Sequence, residues 1–121
     1  MTIDHLKLTA TIAANGTATA TTTNALRGRL LAIQLDYTSA GGTCDVTLTC
    51  GTPALTLLVK ADNQTDGWFF PMVQANGAAD GAAVTDTYTL LPLFGTVTMT
   101  IAQGTEAGTV AATLVYDKAG K

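Results

Sequence analysis

Charge is scarce in this chain. Asp, Glu, Lys and Arg make up 12% of its 121 residues, about half the share usual in soluble domains. The six basic residues, Lys7, Arg27, Arg29, Lys60, Lys118 and Lys121, are scattered, and the net charge is −3. Nucleic-acid binding needs a basic stripe that neutralises phosphates and releases counterions, so no nucleic-acid partner is expected. Histidine and serine occur once each, as His5 and Ser39. A nucleophilic triad would have to combine His5, at a terminus that frays unless tied down, with Ser39, in a Gly-rich turn lacking an elbow motif. An enzyme is therefore not expected. Nor does any apolar run approach the ~20 residues of a membrane-spanning helix. The opening Met1-Thr2-Ile3-Asp4-His5 has neither the basic nor the apolar region of a secretory signal. The chain is expected to be made and kept in the cytosol that synthesises it.

Cysteine is nearly absent too. Cys44 and Cys50 lie in phase with Val46 and Leu48 in Thr43-Cys44-Asp45-Val46-Thr47-Leu48-Thr49-Cys50, so both face inward if this segment is a strand. Six extended residues span roughly 20 Å, far beyond the Cα separation of a disulfide. Both are read as buried, reduced thiols acting as small hydrophobes. A metal site needs further Cys or His beside them, and His5 is the only candidate. No metal and no cofactor are expected.

What the chain has in abundance is Thr and Ala, arranged in short alternations broken by Gly, Asn and Pro. Leu31, Ile33, Leu35 and Tyr37 alternate with Ala32, Gln34, Asp36 and Thr38, the period of a half-buried strand. The same period predicts strands over 6–12, 17–23, 29–37, 44–50, 55–59, 85–91, 96–102 and 109–116. The expected inward rows include even positions from Leu6 to Ile12, Tyr88 with Leu90, Val97-Met99-Ile101, and Val110-Ala112-Leu114-Tyr116. Asn15-Gly16 predicts a type I′ hairpin, and Ser39-Ala40-Gly41-Gly42 predicts a second one. The return strand after Asn15-Gly16 offers only Ala18 and Ala20 inward, which suits a sheet edge or a partner. Pro71 marks a strand end. The Ala/Gly/Asn stretch 74–83 reads as too soft for regular structure, and its length marks it as functional or mobile. No helix-period stretch outlasts a turn or two. The fold expected is all-β: a single-domain antiparallel β-sandwich over 1–121, of about 8–9 strands, with a jelly roll as one arrangement and residues 1–5 as an extended arm.

Few constellations carry chemistry. Asp62-x-Gln64-x-Asp66-Gly67 has the outline of a calcium loop, but Gln64 stands where Asp or Asn belongs and Val73 where Glu belongs. Asp and Asn there are read as turn residues whose side chains cap local backbone. Asn15-Gly16-Thr17 and Asn63-Gln64-Thr65 match the glycosylation triplet and are read as coincidence without a secretory route. Gly41-Gly42 and the glycines of 77–81 have no helix to open, as a phosphate cradle requires. Trp68-Phe69-Phe70-Pro71-Met72-Val73 is the densest apolar cluster. One alternate set must face inward and the other outward or into a contact, and interfaces concentrate their energy in exposed aromatics. Phe69 suits either role. Outward faces built from Thr reflect β-propensity; a surface poor in Lys and Glu also loses little solvation on contact.

Gly28-Arg29-Leu30-Leu31-Ala32-Ile33, a polar turn, Asp45-Val46-Thr47-Leu48-Thr49, Leu57-Leu58-Val59, the aromatic-Pro segment 68–73 with its Gly/Ala loop, and Pro92-Leu93-Phe94-Gly95 before a final strand resemble tailed-bacteriophage capsid decoration, or cement, proteins. The resemblance spans roughly residues 5 to 116. It implies a β-sandwich on the exterior of an icosahedral shell in the virion, often a homodimer or homotrimer, clamping neighbouring major capsid subunits and lacking an active site. The contact residues expected are Arg27, Arg29, Trp68, Phe69, Phe70, Met72, Gln74 and Asn76, with the arginines facing acidic groups on the shell. Two alternatives stand beside this reading. One is another virion component, from the tail or the head–tail connector. The other is a carbohydrate-binding β-sandwich using Trp68 or Tyr88 as its platform.

Overall fold

The inward rows of Leu, Ile, Val and Tyr close two antiparallel sheets around a shared core. The computed structural model describes residues 2–37, 43–76 and 81–118, with the backbone only for 75–76 and 83–87. Its strands are β1 Thr2–Thr11, β2 Ala18–Thr21, β3 Leu26–Asp36, β4 Cys44–Cys50, β5 Leu55–Asn63, β6 Gly67–Phe69, β7 Met72–Asn76, β8 Ala83–Leu90, β9 Pro92–Gly95, β10 Val97–Ala102 and β11 Thr109–Lys118. Among the described residues there is no helix. One sheet runs β1-β11-β3-β6, with β9 also on β3; the second runs β2-β10-β4-β5; β7 and β8 pair only with each other. The protein is all-β, its antiparallel sheets curled into a half-barrel of sandwich type.

Both sheets contribute to the interior. Leu8, Ala10, Ile33, Leu35, Val110, Ala112 and Leu114 come from the first, and Cys44, Val46, Leu48, Cys50, Val97, Met99 and Ile101 from the second. Each row is the inward half of an alternation, so burial follows from the pleat. Both cysteines are buried and free, as the phase of their strand requires. β2 lies at the edge of its sheet, where Ala18 and Ala20 face Ile101 and Met99 across the ladder. Small residues there leave room for large ones.

Local turn signals mislead about pairing. Asn15-Gly16 does reverse the chain: Gly16 N–H donates to the Ala13 carbonyl at 2.9 Å and Ala13 N–H to Thr17 at 3.0 Å. Yet Gly16 alone has positive φ (82°) in this turn, so it is not type I′, which requires φ > 0 at both central residues. β1 then pairs β11, whereas β2 pairs β10 in the other sheet. The second expected hairpin fails in the same way, because β3 and β4 belong to different sheets. Its turn, 38–42 with Ser39, lies outside the described residues. Residues 2–5 are no free arm: β1 pairs β11 from Thr2↔Lys118 onward, which ties His5 into the ladder.

Strand β3 changes phase. Its register against β11 slips between Val115 and Tyr116, leaving Leu31 as an extra residue between Ala32 and Leu30. Such a bulge switches the parity of the strand. Leu26 and Leu30 are therefore buried before it, and Ile33, Leu35 and Tyr37 after it. The expected inward role of Leu31 passes to Leu30.

Candidate functional site: an exposed apolar ribbon and an arginine groove

The outer edge of β3 is shared. β9 pairs with its first part, from Leu26↔Gly95 to Arg29↔Pro92, and β6 with its second, from Ile33↔Phe69 to Leu35↔Gly67. Between them Leu30 N–H donates to the Leu91 carbonyl at 2.9 Å. The chain thus leaves this edge after β6, forms the β7–β8 ribbon, and returns to the same edge at β9. Stretch 74–83, expected to lack regular structure, contributes backbone to the ribbon at 74–76 and at Ala83; residues 77–80 lie outside the described set.

Five large exposed apolar side chains lie on or beside this excursion, while Ile3, Val59 and Phe94 are exposed on the body. Trp68 is 53% exposed, Phe70 68%, Met72 53%, Val73 46% and Tyr88 57%. Met72 and Tyr88 occupy one face of the ribbon and Val73 the other, since Met72 opposes Leu90, Gln74 opposes Tyr88 and Val73 opposes Thr89. Exposed side chains thus stand on both faces of the ribbon among its described residues. Tyr88, expected inward, is exposed because its strand joins neither large sheet. Trp68 stands on the outer face of the first sheet, opposite Gln34. Phe69 points the other way and packs against the core, with Lys60 Nζ 4.9 Å from its ring centre. A cation over an aromatic face at that distance is worth about 0.5–1 kcal/mol at an exposed site. Gln74 is half-buried within the ribbon, whereas the Asn76 side chain lies outside the described set.

The arginines lie elsewhere. Arg27 opposes Phe94, and Arg29 lies between Pro92 and Asp117 in neighbouring strands. Arg29 Nη2 reaches Asp117 Oδ2 at 2.7 Å, a cross-strand ion pair on the surface. Arg27, Gly28, Arg29, Leu93, Phe94 and Asp117 line an open groove of about 470 Å³. Behind it the backbone is closely stacked. A Cβ on Gly95 would lie 2.7 Å from Gly51 Cα, and a Cβ on Gly51, which holds φ at 79°, would collide with the Phe94 ring. β9 went unpredicted because four residues beginning with Pro show too little alternation to register as a strand.

At the opposite end of β3 the carboxylates hold backbone. Asp66 Oδ1 accepts from Tyr37 N–H at 2.7 Å, and Asp45 Oδ1 accepts from Asp62 N–H at 2.9 Å. Asn63 Nδ2 donates to Tyr37 Oη at 2.9 Å and to the Thr65 carbonyl at 3.1 Å. These side chains tie segment 62–66 to the end of β3. Among the described residues, no three His, Cys, Asp or Glu side chains gather as a metal site would require. Burial first, and the neighbouring Asp45 charge second, push the Cys44 thiol above its ordinary pKa, which keeps it protonated and unreactive. No family model matches the chain, and comparisons with curated proteins and with solved structures give no match.

Proposed function

We propose that this chain is a non-enzymatic virion protein of the capsid-decoration type, which binds the outside of a phage head and stabilises contacts between major capsid subunits. One observation carries the reading: Trp68, Phe70, Met72, Val73 and Tyr88 are exposed on or beside a ribbon that pairs with neither large sheet. Several large apolar side chains left exposed along one short segment of chain mark a candidate contact. Aromatic and Met side chains are the types enriched in interface centres. The resemblance over residues 5–116 and the low surface charge support a partner that is a protein shell. The mechanism is additive. Each copy contributes a modest contact, and symmetry repeats it around the particle.

The test uses purified particles carrying this protein. Stripped heads are expected to lose their genome at lower temperature or milder osmotic shock than decorated ones, and re-addition of the protein restores them. The triple variant Phe70→Ser, Met72→Ser, Tyr88→Ser keeps its β-sheet circular dichroism, since all three side chains are exposed, but fails to restore. Equal survival of stripped and decorated heads overturns the reading. A copy number far below that of the capsid subunit points to the tail or connector alternative. The carbohydrate alternative draws on the exposure of Trp68 beside Gln34, and a glycan array that stays blank removes it.

A further inference from the structure

The described charges are unevenly divided along β3. Arg27 and Arg29 lie at its start, with Lys118 opposite Gly28. Asp36 lies at its end, and Asp45, Asp62 and Asp66 gather there through the hydrogen bonds to Tyr37 and Asp62. Glu106 lies at that end too: the turn 103–108 follows β10, whose Ala102 opposes Asp45. Arg27 and Asp36 stand nine positions apart on β3, or about 30 Å. The separation is not perfect, since Asp4 and Asp117 accompany the arginines, and Lys60 sits two residues before Asp62. The predominant sign still reverses from one end to the other.

We infer that this protein associates head to tail with a second copy of itself, the Asp45/Asp62/Asp66 end of one copy entering the Arg27–Phe94 groove of the next. Three features fit that occupant. The groove offers the Arg27 guanidinium, with Arg29 already paired to Asp117 beside it, and a guanidinium matches a carboxylate in planar, two-pronged hydrogen bonds. It also offers the exposed ring of Phe94, a flat apolar wall beside the charges. The incoming carboxylates of Asp45 and Asp66 are already oriented by backbone N–H donors, so little freedom is lost on docking. Because the two surfaces differ, the contact is heterologous and builds either closed rings or open rows. It uses none of the ribbon side chains and so does not depend on the decoration reading.

Sedimentation equilibrium of the isolated full chain tests the inference. Mass is expected to rise with protein concentration at low ionic strength and to fall to the monomer value above a few tenths molar salt, where the screening length shrinks to a few Å. Arg27→Glu and Asp62→Lys each weaken association at least about tenfold, the effect of one lost contact of about 1.4 kcal/mol. Mixing the two variants restores a complex, because the lysine tip of one meets the glutamate groove of the other. Both substitutions are at exposed positions, and circular dichroism verifies folding. A monomer under all conditions overturns the inference, as does an Arg27→Glu protein that associates like the parent or a mixture that fails to recombine. If the chain stays monomeric while Arg27→Glu loses binding to stripped heads, the groove's occupant is the shell, and self-association is again overturned.

Discussion

At the scale of single residues, Thr22 shows how a buried hydroxyl can serve as structural glue between segments distant in sequence. It is the buried polar side chain among the described residues. Its Oγ1 accepts from Val97 N–H at 3.0 Å and donates to the Asn24 carbonyl at 2.8 Å, while its own N–H donates to the Val97 carbonyl at 2.9 Å. Thr22→Val keeps the shape but strands the Val97 N–H, and a buried unsatisfied donor costs about 1–3 kcal/mol. Urea unfolding of the variant should show that loss, and an unchanged midpoint would contradict it. None of this was legible beforehand, because one Thr in a run of Thr carries no mark of its partner. The cysteines were legible, since strand phase alone decides whether a side chain points inward. Leu31 was misplaced for a related reason: an alternation beginning at Leu31 conceals the change of parity that Leu26 and Leu30 announce.

Among elements, the β7–β8 ribbon is the least supported. An isolated two-stranded pair is marginal in water, and this one hydrogen-bonds to neither large sheet, with Leu91 just after it buried in the core. Its amides, such as those of Val73 and Thr89, are expected to exchange with deuterated water faster than those of β4, β10 and β11. Hydrogen-exchange mass spectrometry would read the difference, and equal protection would refute it. On the proposed decoration reading, adding capsid shells slows exchange in the ribbon first. The sequence located most strands because apolar alternation is a local property. It failed on which strand pairs with which, because Asn15-Gly16 specifies a reversal of direction and says nothing of the sheet the chain enters next. The candidate contact residues divide similarly. Apolar clustering singled out segment 68–73, but only the fold separates exposed Trp68 and Phe70 from core-packed Phe69.

For the molecule as a whole, two tyrosines link stability to alkaline pH. Burial raises the pKa of Tyr37, with the Cys44 and Asp66 charges adding to it and the Asn63 hydrogen bond opposing it. Burial also raises that of Tyr116, helped by the charge of Asp4 and its hydrogen bond. Both phenols hold their protons more tightly folded than unfolded. Their contribution is therefore intact below the ordinary tyrosine value of about 10 and disappears as pH climbs through the raised folded values. Urea midpoints should decline once pH exceeds about 10, with a shallower decline in Tyr116→Phe, and a flat profile would exclude the linkage. The two short strands that share the margin of β3 carry a different consequence. Phe69 and Pro92 are anchored opposite Ile33 and Arg29, only about 13 Å apart along one strand. Leu91, inside the intervening excursion, packs in the core, so only the exposed stretch ahead of it can be relettered without touching the interior.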